Sequence, residues 1–444
     1  MTPIPALRRF LSGAFAMTAA LLSVTPVAEA ASRVERVISP GGIEAWLVRQ
    51  THLPIIALDF SMRGGAAQDP PDRPGTANIL AAMLDEGAGE LDGETFSKRL
   101  EDRAIEMTFA AGRDALSGSV RMLSEHQTDA FALLKLALRQ PRFDAAPLER
   151  IRQSALANIR RASTNPNAIA NETFWATAFP GHPYGHRTVG TAESVQAITR
   201  DDLVALHRRI VARQHLKIAV VGDITAEALA VVLDDVFADL PARAELTPVP
   251  QVTLAGAGER RVIALDVPQT VISFGLAGLK RDDPDFIAAF VMNHILGGGS
   301  LSSRLYTEVR EKRGLAYSIS SGLAAFDAAG VMTGGTSTRN DRAAESLAVI
   351  EAELARMGAD GPTEAELDQA KRYLIGSWAL RFETSNAIAS NLIRIQLDGF
   401  GPDYLDRRNG LIQAVTIDDL RRVAKRLLGD PRLLVVAVGR PIGF

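Results

Sequence analysis

The chain has 444 residues, 47% of them hydrophobic and 23% charged, enough for a sizeable core and, at roughly 150 residues per domain, for about three domains. A formal net charge of −3, with no long basic block, argues against a nucleic-acid partner. Cysteine is absent, which removes disulfides, thiolate metal sites and cysteine nucleophiles together and suits an oxidising compartment.

Residues 1–30 read as a secretory signal. Arg8 and Arg9 are its positive start, residues 10–24 its apolar stretch, and Ala28-Glu29-Ala30 its cleavage site. The apolar stretch is short against the ~20 residues of a bilayer span, and no later segment is apolar enough to replace it. The mature chain is therefore expected in the periplasm of a Gram-negative bacterium. Arg8-Arg9-Phe10-Leu11 leaves both the general and the twin-arginine export routes open.

Residues 34–49 then predict two strands turning at Gly41-Gly42, and residues 55–62 a third. Helices are expected at 75–87 and 93–103, strands around 105–122, and helices at 125–139, 144–163 and 168–178. Ala197-Ile-Thr-Arg-Asp-Asp-Leu203 reappears as Ala414-Val-Thr-Ile-Asp-Asp-Leu420, and the match continues without a gap to Leu216-Lys-Ile-Ala-Val-Val-Gly222 against Leu433-Leu-Val-Val-Ala-Val-Gly439. In both copies Thr-x-x-Asp starts a helix, with Thr199 and Thr416 as N-caps, and a β-branched strand follows. Residues 261–265 and 270–276 predict strands, and 283–296 a helix equivalent to 75–87. Runs of strands followed by runs of helices, written twice, indicate α+β: two tandem homologous domains, each an antiparallel sheet packed against helices. The expected division is 31–240, a proline-bearing linker at 241–258, and 259–444.

Within the first predicted helix, Asn78, Ala81 and Ala82 stand at i, i+3 and i+4 and share one face. The frame around them, Gly75-Thr-Ala-Asn-Ile-Leu-Ala-Ala-Met-Leu-Asp-Glu-Gly87, resembles the insulinase/pitrilysin metallopeptidases, including the processing peptidases. In that family these three places carry the inverted zinc motif H-x-x-E-H: one ligand, the catalytic glutamate and a second ligand. At the family's spacing the third ligand falls at Asn158. An amide is a poor substitute for imidazole or carboxylate on zinc, and alanine offers no donor. The resemblance covers essentially all of the mature chain. It implies a clamshell around a peptide-sized chamber, with no zinc bound by this chain.

The second half carries Gly297-Gly-Gly-Ser-Leu-Ser-Ser-Arg-Leu-Tyr306, then Glu308-Val-Arg310 and Gly314-Leu-Ala-Tyr317. The resemblance implies that Arg310 and Tyr317 reach a substrate and act in trans on a partner's active site. A guanidinium and a phenol can bond a scissile carbonyl and stabilise its oxyanion. Gly297, Gly298 and Gly299 are similar to the glycine-rich, substrate-handling loop of a non-catalytic processing-peptidase subunit; a tight connection between helices explains them equally well. No Gly-Lys-Ser/Thr follows, so this is not a phosphate loop. His182 and His186 flank Pro-Tyr-Gly, which forbids a helical ligand pair and reads as a structural loop. Asp85 and Glu86 are expected to face solvent.

Together these features imply a zinc-metalloendopeptidase family member that is inactive alone: a substrate-binding subunit whose H-x-x-E-H partner holds the zinc and joins it in cleaving peptides. The alternative is a catalytically dead peptide-binding or assembly module. An independent hydrolase would need a site that the sequence does not contain.

Overall fold

The computed structural model describes residues 34–444, which form one compact unit. The expected signal at 1–30 lies outside the described residues. The first half contributes β1 (Glu35–Ile38), β2 (Glu44–Arg49), β3 (Ile55–Arg63), a small hairpin of β4 (Gly87–Ala88) and β5 (Leu91–Asp92), then β6 (Glu106–Ala111), β7 (Ala115–Leu123) and β8 (Lys217–Gly222). The second contributes β9 (Arg260–Ala264), β10 (Gln269–Ala277), β11 (Ala316–Ala325), β12 (Gly330–Arg339) and β13 (Leu434–Gly439). No helix or strand occurs between Phe237 and Arg260.

The sheet orders are β1-β2-β8-β3-β7-β6 and β11-β12-β10-β13-β9. Without β1, the first is the second written backwards, with β8 in the place of β13 and β3 in the place of β10. Each sheet is antiparallel except for one parallel pair, β2–β8 in one and β9–β13 in the other. The repeated segments therefore hold equivalent places, and the predicted α+β repeat is the observed architecture.

Strand alternation shows how the halves join. Ala45, Leu47, Ile218 and Val220 face a core built with the first half's own helices. Their neighbours Trp46, Val48, Ala219 and Val221 point the other way and pack on Ile388, Leu392 and Ile393 of the Ser385–Leu397 helix, which belongs to the second half. The exchange is reciprocal. Val271, Leu434, Val436 and Val438 pack on Ala170, Phe174 and Ala178 of the first half's Pro166–Ala178 helix. Gly275 permits this contact, since a Cβ there would lie 2.6 Å from the Phe174 ring. The central strands of both sheets are thus covered on both faces, which explains the nearly continuous burial of β3, β8, β10 and β13.

Polar contacts follow the same exchange. Ser390 donates to Asp59 on β3 at 2.8 Å, and Gln396 donates to the Ile218 carbonyl at 3.0 Å. The buried Tyr184 hydroxyl donates to Asp114 at 2.6 Å and accepts from the Ala328 amide at 3.0 Å, joining the halves at a second point.

Candidate functional site

The Thr76–Met83 helix begins after Gly75, whose φ of 98° an L side chain rarely adopts, and it has no side-chain N-cap of its own. Asp69 supplies the cap from outside: its carboxylate accepts from the Gly75 and Ala77 amides, both at 2.7 Å. Burial pushes this carboxyl up to about 7, while the two amide bonds pull the other way. Asp69 lies beyond capping-box spacing from the helix, so no local pattern marks it.

Asn78 is half-buried on this helix, Ala81 is 2% exposed within the first core, and Ala82 faces solvent. The helix packs against Ala145–Ala162, where Asn158 is exposed and its side-chain oxygen accepts from Arg161. The four positions thus lie on two packed helices, and they offer two amides and two methyl groups. That set does not fit zinc. Among the described residues, no group of three or more histidine, aspartate or glutamate side chains is placed to hold a metal ion.

Two residues further along, the expected picture is corrected. Asp85 and Glu86 are half-buried and not solvent-facing. Burial raises Asp85 to about 6, and Glu86 accepts from Arg150. The helix stops at Met83, so both carboxylates sit in the turn toward β4, where Glu86 pairs with Arg150 of the neighbouring helix.

In the second half the equivalent helix is Phe286–Asn293, and it widens into a π-helical turn at His294–Gly298. A second π-helical turn, Tyr306–Glu311, carries Arg310; such turns are frequent at functional sites. Gly297 and Gly298 end the first of these turns and Gly299 follows it, and none of the three has a positive φ. Gly297 is buried against β11, where a Cβ would meet the Ser321 hydroxyl at 2.3 Å. Close packing is therefore what this position demands of glycine.

Arg310 and Tyr317 come together. The Arg310 guanidinium lies 4.8 Å from the centre of the Tyr306 ring and 5.2 Å from that of Tyr317, and it donates to the Tyr306 hydroxyl. Tyr317, at the start of β11, is 85% exposed. Tyr306, one helical turn before Arg310, is the partner that spacing could have revealed. The turn is anchored by Glu308, which accepts from Lys312 and Arg313, both at 2.6 Å; these bonds hold its carboxyl below the usual range. Just upstream, Arg304 makes a forked pair with Glu366 at 2.6 and 2.7 Å. Burial opposes ionisation of Glu366, but Arg304 and the Thr363 cap outweigh it and hold the carboxyl at about 2.

His182 and His186 do not pair as ligands. His182 is buried, with Nε2 3.0 Å from the Pro250 carbonyl and Nδ1 accepting from the Tyr184 amide at 3.1 Å, while His186 is exposed. Among the described residues, no hydrogen bond, ion pair or ring contact links the 78–82 helix face to Arg310 or Tyr317.

Comparison with known proteins bears on these geometries. The insulinase model (peptidase family M16) matches residues 50–192, and the peptidase M16 inactive-domain model matches residues 197–374. The "non-peptidase homolog YmxG" of Helicobacter pylori is 28% identical over 333 residues, spanning 75% of this chain and 77% of that protein. An uncharacterized zinc protease of Mycobacterium tuberculosis is 30% identical over 280 residues, 62% of this chain and 64% of its own length. The crystal structure of a peptidase M16 inactive domain from Pseudomonas fluorescens superposes with a TM-score of 0.85 at 29% identity, covering 92% of this chain and 98% of that one.

Proposed function

Because this chain belongs to the insulinase family of peptidases, we propose that it is the non-catalytic, substrate-binding subunit of a periplasmic two-chain zinc peptidase. By itself it is a catalytically dead module of insulinase fold. In this reading the leader 1–30 is removed, and the halves 31–240 and 259–444 meet at the 241–258 linker. A partner carrying H-x-x-E-H holds the zinc. This chain contributes Arg310 and Tyr317, with Gly297, Gly298 and Gly299 beside the bound peptide.

One observation carries the reading: a guanidinium held between two phenol rings, one of them almost fully exposed, in a chain whose metal-site positions are Asn78, Ala81, Ala82 and Asn158. Such a pair can bond a peptide carbonyl in two directions and stabilise charge developing on its oxygen. It has no use for that in hydrolysis unless another chain brings the nucleophile.

A second reading is a peptide-binding or assembly module without proteolysis, and the name of the Helicobacter pylori relative favours it. Co-purification with a secreted insulinase-like chain that has an intact motif, followed by a peptide-cleavage assay, separates the two. Turnover that needs both chains supports the heterodimer. Pairing without turnover selects the assembly module, and turnover by this chain alone overturns both.

A further inference from the structure

A cavity of about 130 Å³ opens on the second half, between the Phe286–Asn293, Ser385–Leu397 and Tyr404–Ala414 helices and the short Ala379–Phe382 turn. Four arginines line it, Arg281, Arg381, Arg394 and Arg408, against one carboxylate, Asp398. Arg281 takes that carboxylate at 2.9 Å. Among the described residues, none of the other three forms an ion pair, although Asp398 also attracts Arg394, so the lining carries a net excess of three positive charges.

The guanidiniums are also held ready. Arg408, 5% exposed, stacks 4.3 Å from the centre of Trp378, and its Nη1 donates to the Leu374 carbonyl at 2.6 Å and to the Asn409 side-chain oxygen at 3.0 Å. Arg281 lies 4.4 Å from the centre of Phe286, and its Nε is buried with no acceptor among the described residues. Rings cover the guanidinium faces and leave the edges, which carry the donors, for a ligand. Burial, reinforced by Arg381, brings Arg408 down to about 10, the mark of a cation placed where it lacks a counter-charge.

We propose that this cavity binds a phosphate group, either free phosphate or a phosphate monoester. A compact dianion offsets most of the excess charge and presents acceptor oxygens in several directions, which suits arginine forks approaching from different helices. The volume is well above the ~10–15 Å³ that one water needs and below the roughly 300–1,000 Å³ of sites for drug-sized ligands. A bound anion would also fasten the Ser385–Leu397 helix, the one covering the first sheet, to its own half. Binding should therefore raise stability.

The test is calorimetric titration of the mature chain with inorganic phosphate against chloride at equal ionic strength, alongside thermal unfolding. Arg381 and Arg394 are exposed, and among the described residues neither side chain forms a hydrogen bond or an ion pair, so the double variant Arg381→Gln/Arg394→Gln should fold normally. Its affinity should fall at least about tenfold, as expected when charge-assisted hydrogen bonds are lost. Asp398→Asn should tighten binding, because it removes the carboxylate that competes with the ligand. Glycerol phosphate, and phosphatidylcholine vesicles with and without phosphatidic acid, distinguish a soluble ligand from a lipid headgroup. Absence of binding in every arm, or equal affinity in the double variant, overturns the site; weaker binding by Asp398→Asn overturns the charge argument.

Discussion

The Thr76–Met83 helix and the Tyr306–Glu311 turn are each embedded in the core of one half, yet they present opposite chemistry. The first keeps a buried, capped frame and displays only an amide and one methyl group, with the Ala81 methyl inside the core. The second breaks regular helical geometry and holds a guanidinium against two phenols. Packing and chemistry are therefore separable within this fold: a helix can be fully packed and capped while offering no group able to bind a metal or react. Where polar groups remain organised at some cost to regularity, a ligand is the simplest reason for them.

The largest effect should come from the second region. If Arg310 and Tyr317 stabilise an oxyanion in a partner's site, Tyr317→Phe removes one donor and keeps the ring beneath the guanidinium. Turnover by the reconstituted pair should drop about 10²–10³-fold, with pairing intact. Arg310→Ala should be at least as severe, since it also removes an aliphatic stem and two ring contacts. Near-normal turnover with Tyr317→Phe would make both regions structural and dissolve the contrast. Loss of pairing would make the motif an interface element.

The first region should respond through stability. Asp69→Ala leaves the Gly75 and Ala77 amides without their acceptor and should cost about 2–3 kcal/mol, read as a lowered denaturation midpoint. Asp69→Asn keeps one acceptor oxygen and should recover part of this. If Asp69→Ala unfolds at the wild-type midpoint, the cap contributes nothing.

A smaller effect tests the anchor of the second region. The Glu366 carboxyl is held at about 2, below its unfolded value, so its contribution is complete above about pH 5 and is lost as pH falls toward 2. Water reaches part of this group, which limits the contribution to about 1–2 kcal/mol. Glu366→Gln should lower stability at neutral pH and flatten the acid limb of the stability curve. An unchanged acid limb would remove Glu366 from this role.

The repeat was legible because the same Thr-x-x-Asp capping pattern and a similar β-branched strand recur at 197–222 and 414–439. The pairing of Arg310 with Tyr317 was legible only through a family resemblance, since their spacing alone carries no geometry. The helix exchange was hidden: Phe174 and Leu392 are ordinary apolar helix residues, and nothing local says that their sheet belongs to the other half. The parallel pairs β2–β8 and β9–β13 were hidden for a related reason, because each joins strands far apart in sequence. Asp69 and the four arginines around Asp398 were equally invisible, being brought together by tertiary packing with no periodic signal.

The smallest expected effect is the most direct challenge to the contrast. Asn78→His, Ala81→Glu and Ala82→His together should yield no peptidase activity above background, and the unaltered chain should carry well under one zinc. Two obstacles stand in the way. Ala81 is 2% exposed in the first core, so a glutamate there must either displace packed neighbours or bury its charge. Position 158 still offers an amide already engaged by Arg161, which leaves a metal one carboxylate short. Asn158 is exposed, so adding Asn158→Glu is sterically easy and should raise zinc affinity, measurable by competition with a chelator. Peptide cleavage by the triple variant at the rate of an intact family member would show that the helix had lost only its ligands. The burial of Ala81 argues instead that the frame has settled around their absence.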